Sequence, residues 1–165
     1  MRKPTLYLTR GAIIAALYVA LTFVSASFGL HNGVIQFRIS EMLCILPIFF
    51  PEAVLGLTLG CFLANLLSAC AIWDVVFGSI ATLIGALGAY LLRRLPKKIM
   101  WLATVPTVIS NTLIVPPVLI LVYEVEEALP FLMLTVGIGE VTCAGICGSL
   151  LYYSIRKNKF LTRIS

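Results

Sequence analysis

One histidine, His31, is all the imidazole this 165-residue chain carries, and twelve Lys and Arg with seven Asp and Glu are all its charge. So little titratable chemistry excludes several classes of function. A Ser/His/Asp triad would need the histidine beside a nucleophile, yet it falls in the polar stretch His31-Asn32-Gly33. No His-Glu-x-x-His helix is present to hold zinc, and no Gly-x-x-x-x-Gly-Lys-Ser/Thr loop to cradle a phosphate. The five cysteines, Cys44, Cys61, Cys70, Cys143 and Cys147, lack metal-finger spacing. Cys143 and Cys147 share a helix face at i, i+4, where buried packing is the expected role. No metal, no bound cofactor and no enzymatic activity are expected of this chain.

What the chain does have is hydrocarbon. At 61% hydrophobic, 12% charged and a mean hydropathy of +1.06, it exceeds what a soluble domain reaches. The expectation is an all-α integral membrane protein, a single domain over residues 1–165. A bilayer core about 30 Å thick takes roughly 20 apolar residues per helix. On that length the first span runs from about Thr9 to Phe28, without a small-residue cleavage site after it, so it reads as a retained span and not a signal peptide. The apolar run Met42 to Ala71 is too long for one helix and short for two, and Pro51-Glu52 divides it. Two helices are predicted, the earlier one short. Ser40 can cap the first, and Pro51 suits the start of the second, where its missing N–H is not needed. Further spans follow from Trp73-Asp74 to Leu92, Ile99 to Val122 and Phe131 to Ile155, making six.

The basic residues orient these spans. Eleven of the twelve lie in the first ten residues, in Arg93 to Lys98, or in Arg156 to Arg163, one face of a six-span bundle. By the positive-inside rule both termini face the cytoplasm. A pI near 9.1 is therefore assigned to topology, not to nucleic acid. The opposite face receives Gly29 to Ile39, the Cys70 to Asp74 turn and the acidic loop Glu124, Glu126 and Glu127. A five-span reading would put Arg93 to Lys98 on the wrong side. No internal repeat is visible, so an inverted-repeat carrier is not supported.

Polar side chains at membrane depth are costly and usually serve a cavity or a partner. Glu140 lies roughly 14 Å, Asn111 roughly 16 Å and Asn65 roughly 9 Å from the outer ends of their spans at 1.5 Å per residue. Interhelical hydrogen bonding is the plain alternative for the asparagines; a carboxylate needs a stronger reason. Pro116-Pro117 must disturb the outer part of the fifth helix and free carbonyl groups. Gly137, Gly139, Gly145 and Gly148 let a ligand or backbone approach the sixth. These features predict a pocket open to the outside, with Arg38, Glu41, Trp73 and Asp74 at its mouth and Gln36 and Asn32 on a covering loop. The plain alternatives are an i, i+3 ion pair for Arg38 and Glu41 and an N-cap for Asp74. Arg38, the one cation outside the basic clusters, is expected to organise the loop and short helix through Glu41 more than to touch a ligand. Ala12, Ala16 and Ala20, with Gly11 and Ala15 alongside, form a smooth strip for close helix packing, within the bundle or on a partner.

The run Ile35-Gln36-Phe37-Arg38-Ile39-Ser40-Glu41-Met42-Leu43, continuing through Leu46-Pro47, Pro51, Leu57, Gly60 and Ala64-Asn65-Leu66, and then Asp74-Val75-Val76-Phe77-Gly78-Ser79, resembles the QueT family. These are substrate-binding (S) components of energy-coupling-factor (ECF) transporters. The resemblance covers nearly the whole chain, its last two spans by length and placement more than by motif. It implies six helices in the plasma membrane, capture of a small metabolite from outside, and toppling in the membrane once docked. The partner module would hold one energising membrane subunit and two ATPases, which hydrolyse the ATP. The strip Ala12, Ala16, Ala20 is similar to the Ala-x-x-x-Ala surface by which S components dock. The implied ligand is a queuosine precursor, a 7-deazaguanine base in its aminomethyl or cyano form. Asn65 and Asn111 can bond its amide edge, Trp73 or a nearby Phe can stack, and Glu140 or Glu41 can meet its guanidine-like edge or ammonium. Thiamine or another cationic, vitamin-like heterocycle would use similar groups. A self-sufficient proton-coupled carrier working through Glu140 is the rival from another class.

Overall fold

The computed structural model describes residues 3–29 and 37–157. It is helical, with no strand among those residues. Four helical rods are long and apolar enough to cross a membrane: Pro4–Ser27, Ile72–Arg94, Lys97–Tyr123 and Leu129–Lys157. Two apolar helices are shorter, Ile39–Ile48 and Ala53–Leu67. We label the α-helical parts α1 (Lys3–Ser27), α2 (Ala53–Leu67), α3 (Ile72–Leu91), α4 (Val105–Tyr123), α5 (Leu129–Glu140) and α6 (Gly148–Lys157).

The expected short second helix is present, but as a 3₁₀ helix over Ile39–Ile48. A 3₁₀ helix rises about 2.0 Å per residue against 1.5 Å for an α-helix, so ten residues reach roughly 20 Å instead of 15 Å. This is how so short a segment extends along the bundle. It lies at the centre: Ser40, Glu41 and Leu43 to Pro47 are all buried, and a helix apolar nearly all round belongs inside. Its direction is fixed by contacts with α1. Ile39 N–H donates to Ser25 Oγ at 3.0 Å, Thr22 Oγ1 to Ser40 Oγ at 2.9 Å, and the Tyr18 hydroxyl to Glu41, so the two run antiparallel. Ser40 therefore faces Thr22, and no side chain caps the 3₁₀ helix. Beyond Ile48 the chain turns at Glu52, which pairs with Arg10 at 3.3 Å.

Small residues then set the helix spacing. A Cβ on Gly56 would lie 2.6 Å from the Gly11 carbonyl oxygen, and one on Gly60 would lie 2.8 Å from Tyr18 Cβ and 3.0 Å from the Ala15 oxygen. Thus α2 runs parallel to α1 at backbone contact. The same device joins α3 to α4, where Gly85 meets Thr107 and Gly88 meets Pro106, while Ser110 Oγ donates to the Ala81 carbonyl at 2.9 Å. Gly56→Leu is expected to force α1 and α2 apart, because the obstructing atom is backbone and cannot rotate away; overpacking of this kind costs about 1–3 kcal/mol or more. Thermal unfolding in lipid nanodiscs should show a lowered midpoint, with Leu55→Ala on the adjacent exposed face close to wild type. A wild-type midpoint for Gly56→Leu would refute this interface.

The chain departs from the sequence expectations at two other places. Pro116 and Pro117 sit inside a continuous α4, which is not broken; their missing N–H groups still leave the Thr112 and Leu113 carbonyls without helical donors. The last rod is not uniform. Between α5 and α6, Val141–Cys147 forms a π-helical segment, a widening found often at functional sites.

Candidate functional site

Six of the polar residues singled out in the sequence converge. Glu41, Asn65, Asp74, Asn111, Glu140 and Arg38 are all buried, none more than 8% exposed. They come from five elements: the 3₁₀ helix and the residue before it, the last turn of α2, the first turn of α3, the middle of α4 and the end of α5. All lie away from the Arg10–Glu52 end of the molecule.

Glycine 78 shows how tightly they meet. A Cβ there would stand 2.9 Å from Asn65 Nδ2, 3.9 Å from Asp74 Oδ1 and 4.0 Å from the Arg38 guanidinium. Only a residue without a side chain lets these three groups share one space. On the other side Arg38 lines a small cleft with Asn111, Val115, Val136 and Glu140. Arg38 therefore faces the inside of the cluster directly, where the sequence suggested a role mainly through Glu41. Asp74 is the carboxylate that shares the space at Gly78 with it.

The three carboxylates differ in how they are satisfied. Glu41 accepts from the Tyr18 hydroxyl and from Cys44 Sγ at 3.2 Å. Asp74 accepts from the Tyr123 hydroxyl at 3.1 Å, and the same oxygen of Tyr123 accepts the Ala71 N–H at 3.1 Å. So Asp74 does not cap α3: no side-chain hydrogen bond closes that helix start. Glu140 is different. Its Oε2 and the Nδ2 of Asn111 are buried with no hydrogen-bond partner among the described residues. Among the described residues the Asn65 Nδ2 finds only Cys61 Sγ, at 3.6 Å. Buried polar atoms are nearly always paired, so unpaired ones at the edge of a cleft have a partner to acquire. The charge balance points the same way: one guanidinium, the one buried cation among the described residues, faces three carboxylates.

One predicted site residue does not join. Trp73 is 58% exposed and stacks on Phe77, with ring centroids 6.2 Å apart, on the outer surface of α3. Gln36, like His31 and Asn32, lies outside the described residues. Sequence reading also missed Tyr18, Cys44 and Tyr123, which hold Glu41 and Asp74 in place. For Tyr18 a signal existed: Tyr18, Thr22 and Ser25 repeat at helical spacing and are buried, a polar stripe on an otherwise apolar helix. Cys44 and Tyr123 carry no such mark.

The predicted alanine strip divides. Gly11 and Ala15 face α2, whereas Ala12, Ala16 and Ala20 are exposed. No group of three or more His, Cys, Asp or Glu among the described residues could hold a metal ion.

A model of the QueT transporter family matches residues 8–157. The chain belongs to the QueT transporter family. It is also similar to the Queuosine precursor transporter QueT of Lactococcus lactis subsp. cremoris (strain MG1363), at 38% identity over 91 residues. That match covers 54% of this chain and 53% of the relative, so it spans about half the length of each. No solved structure matches the chain. A QueT-family sequence with four membrane-length apolar helices is a multi-pass membrane protein.

Proposed function

We propose that the chain is the substrate-binding subunit of an ECF-type importer in the cell membrane and that its ligand is a 7-deazaguanine base. In this reading the rods make six crossings with both termini cytoplasmic, and the 3₁₀ helix is the short second one. It binds no cofactor itself; two ATPases of a partner module supply the energy through one further membrane subunit. The exposed face of Ala12, Ala16 and Ala20 suits a closely docked helix of that subunit.

The observation that carries the ligand reading is the buried cluster: one cation against three carboxylates, with Glu140 Oε2 and Asn111 Nδ2 unsatisfied beside a cleft. Such a site lacks a positive charge and a planar set of donors and acceptors. The aminomethyl form of the base brings both, which favours it over the neutral cyano form. The cleft now has free space of about 10 Å³, room for a single water. Its walls, Val115 on α4 and Val136 on α5, must part by about 3.5 Å, one aromatic thickness, to admit a ring.

Purified protein in nanodiscs, titrated with 7-aminomethyl-7-deazaguanine by calorimetry, should bind one equivalent without ATP and at least tenfold tighter than it binds the cyano form. Pull-down from native membranes should bring two ATPases and a larger membrane subunit. No binding of either base, or isolation without ATPases, would overturn the corresponding half of the proposal. Glu140, a buried and partly unpaired carboxylate, also supports the rival of a proton-coupled carrier. Uptake by vesicles containing this chain alone, driven by a pH gradient, would establish that rival instead.

A further inference from the structure

Away from the polar cluster, an apolar groove runs between the Lys97–Tyr123 rod and the Leu129–Lys157 rod. One hollow of about 520 Å³ is walled by Leu113, Met133 and Gly137, and a second of about 540 Å³ by Trp101, Gly145 and Tyr153. Val108 and Val141 line both, so the two are one groove. Its floor is open where side chains are small. A Cβ on Gly145 would meet nothing nearer than Val141 Cγ1 at 3.9 Å. Its rims are exposed apolar residues, among them Leu113, Val141 and Leu150. The wall from Leu113 to Trp101 is roughly 20 Å long, at 1.5 Å per α-helical residue and 2.0 Å per residue through the 3₁₀ segment Lys97–Thr104, somewhat more than one leaflet of a hydrocarbon core about 30 Å thick.

The groove ends among aromatic and basic residues. Trp101 and Tyr153 stand at its mouth. Lys97 and Lys98 open the first rod at that same end, and Arg156 and Lys157 follow Tyr153 by three and four residues, which places them on its helix face. All four are exposed. None has an acidic partner among the described residues. Of the seven acidic residues, Glu52 pairs with Arg10, Glu41, Asp74 and Glu140 lie in the buried cluster, and Glu124, Glu126 and Glu127 lie in the loop at the other end. The rim is therefore a patch of uncompensated positive charge beside a leaflet-long apolar furrow.

We propose that this groove is a binding site for one anionic phospholipid. An acyl chain lies against Val108, Val141 and Gly145, Trp101 and Tyr153 sit at glycerol depth, and the phosphate is held among Lys97, Lys98, Arg156 and Lys157. Indole and phenol rings favour that depth because one edge is apolar and the other meets water. Clustered Lys and Arg at the membrane surface select a negative headgroup over a zwitterionic one. A zwitterionic lipid would fill the furrow but leave the rim charge unanswered.

The test uses the full chain in nanodiscs of one part phosphatidylglycerol to four parts phosphatidylcholine, transferred to mild detergent and weighed by native mass spectrometry. Wild type should retain one lipid, with a ratio of phosphatidylglycerol to phosphatidylcholine at least fivefold above the bilayer's one to four. Gly145→Phe fills the furrow and leaves the cations; it should lose retention of both lipids. Ser149→Phe repeats this on the same wall, so a folding defect in one variant does not decide the matter. The quadruple variant K97Q/K98Q/R156Q/K157Q should still hold a lipid but in the bulk ratio. The proposal is overturned if retained lipid mirrors the bilayer in wild type, if both groove-filling variants keep the enriched phosphatidylglycerol, or if Val141→Cys crosslinks to a second copy of the chain across the furrow.

Discussion

Arg38→Gln should cost the protein most of its stability and all of its ligand binding. Arg38 is 8% exposed and faces Asp74, Glu41 and Glu140, which are 5%, 1% and 6% exposed. Removing one partner from a buried ionic cluster leaves uncompensated charge, at a cost of about 3–5 kcal/mol. A typical net stability of about 5–15 kcal/mol does not absorb that easily. The temperature at which the variant loses helical circular dichroism in nanodiscs should fall sharply. Arg38→Lys keeps the charge but loses the planar fork, so it should recover part of the stability and little of the binding. Asp74→Asn in the Arg38→Gln background should be less destabilising than Arg38→Gln alone, since one unpaired carboxylate disappears with the cation. Such non-additivity is the signature of groups in one network. A wild-type melting temperature for Arg38→Gln would mean that the cluster is not electrostatically coupled.

How far the sequence foretold this site depends on the kind of residue. Charged and amide groups are conspicuous against hydrocarbon, so Arg38, Glu41, Asn65, Asp74, Asn111 and Glu140 could be picked out one by one. Their meeting place could be anticipated only as depth from one membrane face, because helix length gives height but not rotation about the axis. Trp73 illustrates the gap: it is at the right height and neighbours Asp74, yet successive residues on a helix point about 100° apart, and it faces outward. Cys44 and Tyr123 were missed because an aromatic or thiol in an apolar helix reads as packing, and its hydroxyl or sulfhydryl partner appears only in three dimensions, whereas Tyr18 was marked only by its polar stripe with Thr22 and Ser25. The backbone departures were only partly legible. The brevity of Ile39–Ile48 was visible from the run length, but its 3₁₀ winding was not. The Pro116-Pro117 pair suggested disruption that α4 avoids, and the glycines near Glu140 gave no direct sign of the π-helical segment.

Glu140→Gln should separate stability from function. The amide has nearly the same shape, so packing against Val115 and Val136 is kept. What disappears is a buried carboxyl group close to Glu41 with one oxygen unpaired, and burying such a group without a full set of partners is unfavourable. The variant is therefore expected to fold at least as well as wild type. Its affinity for the aminomethyl base should nevertheless fall about 10- to 100-fold, the loss of one hydrogen bond to a charged group worth about 1.5–3 kcal/mol. Asn111→Ala removes the neighbouring unpaired donor and should weaken both the aminomethyl and cyano forms, because an amide edge is common to both. Calorimetric titration of the variants, with melting temperatures recorded on the same samples, reads the two effects apart. If Glu140→Ala and Asn111→Ala both bound the base with wild-type affinity, the cleft would not be the ligand site. If Glu140→Gln lost stability in step with affinity, Glu140 would be a structural member of the cluster. A rise or no change in stability with a fall in binding is the pattern of a group kept at membrane depth for its ligand, against the preference of the fold.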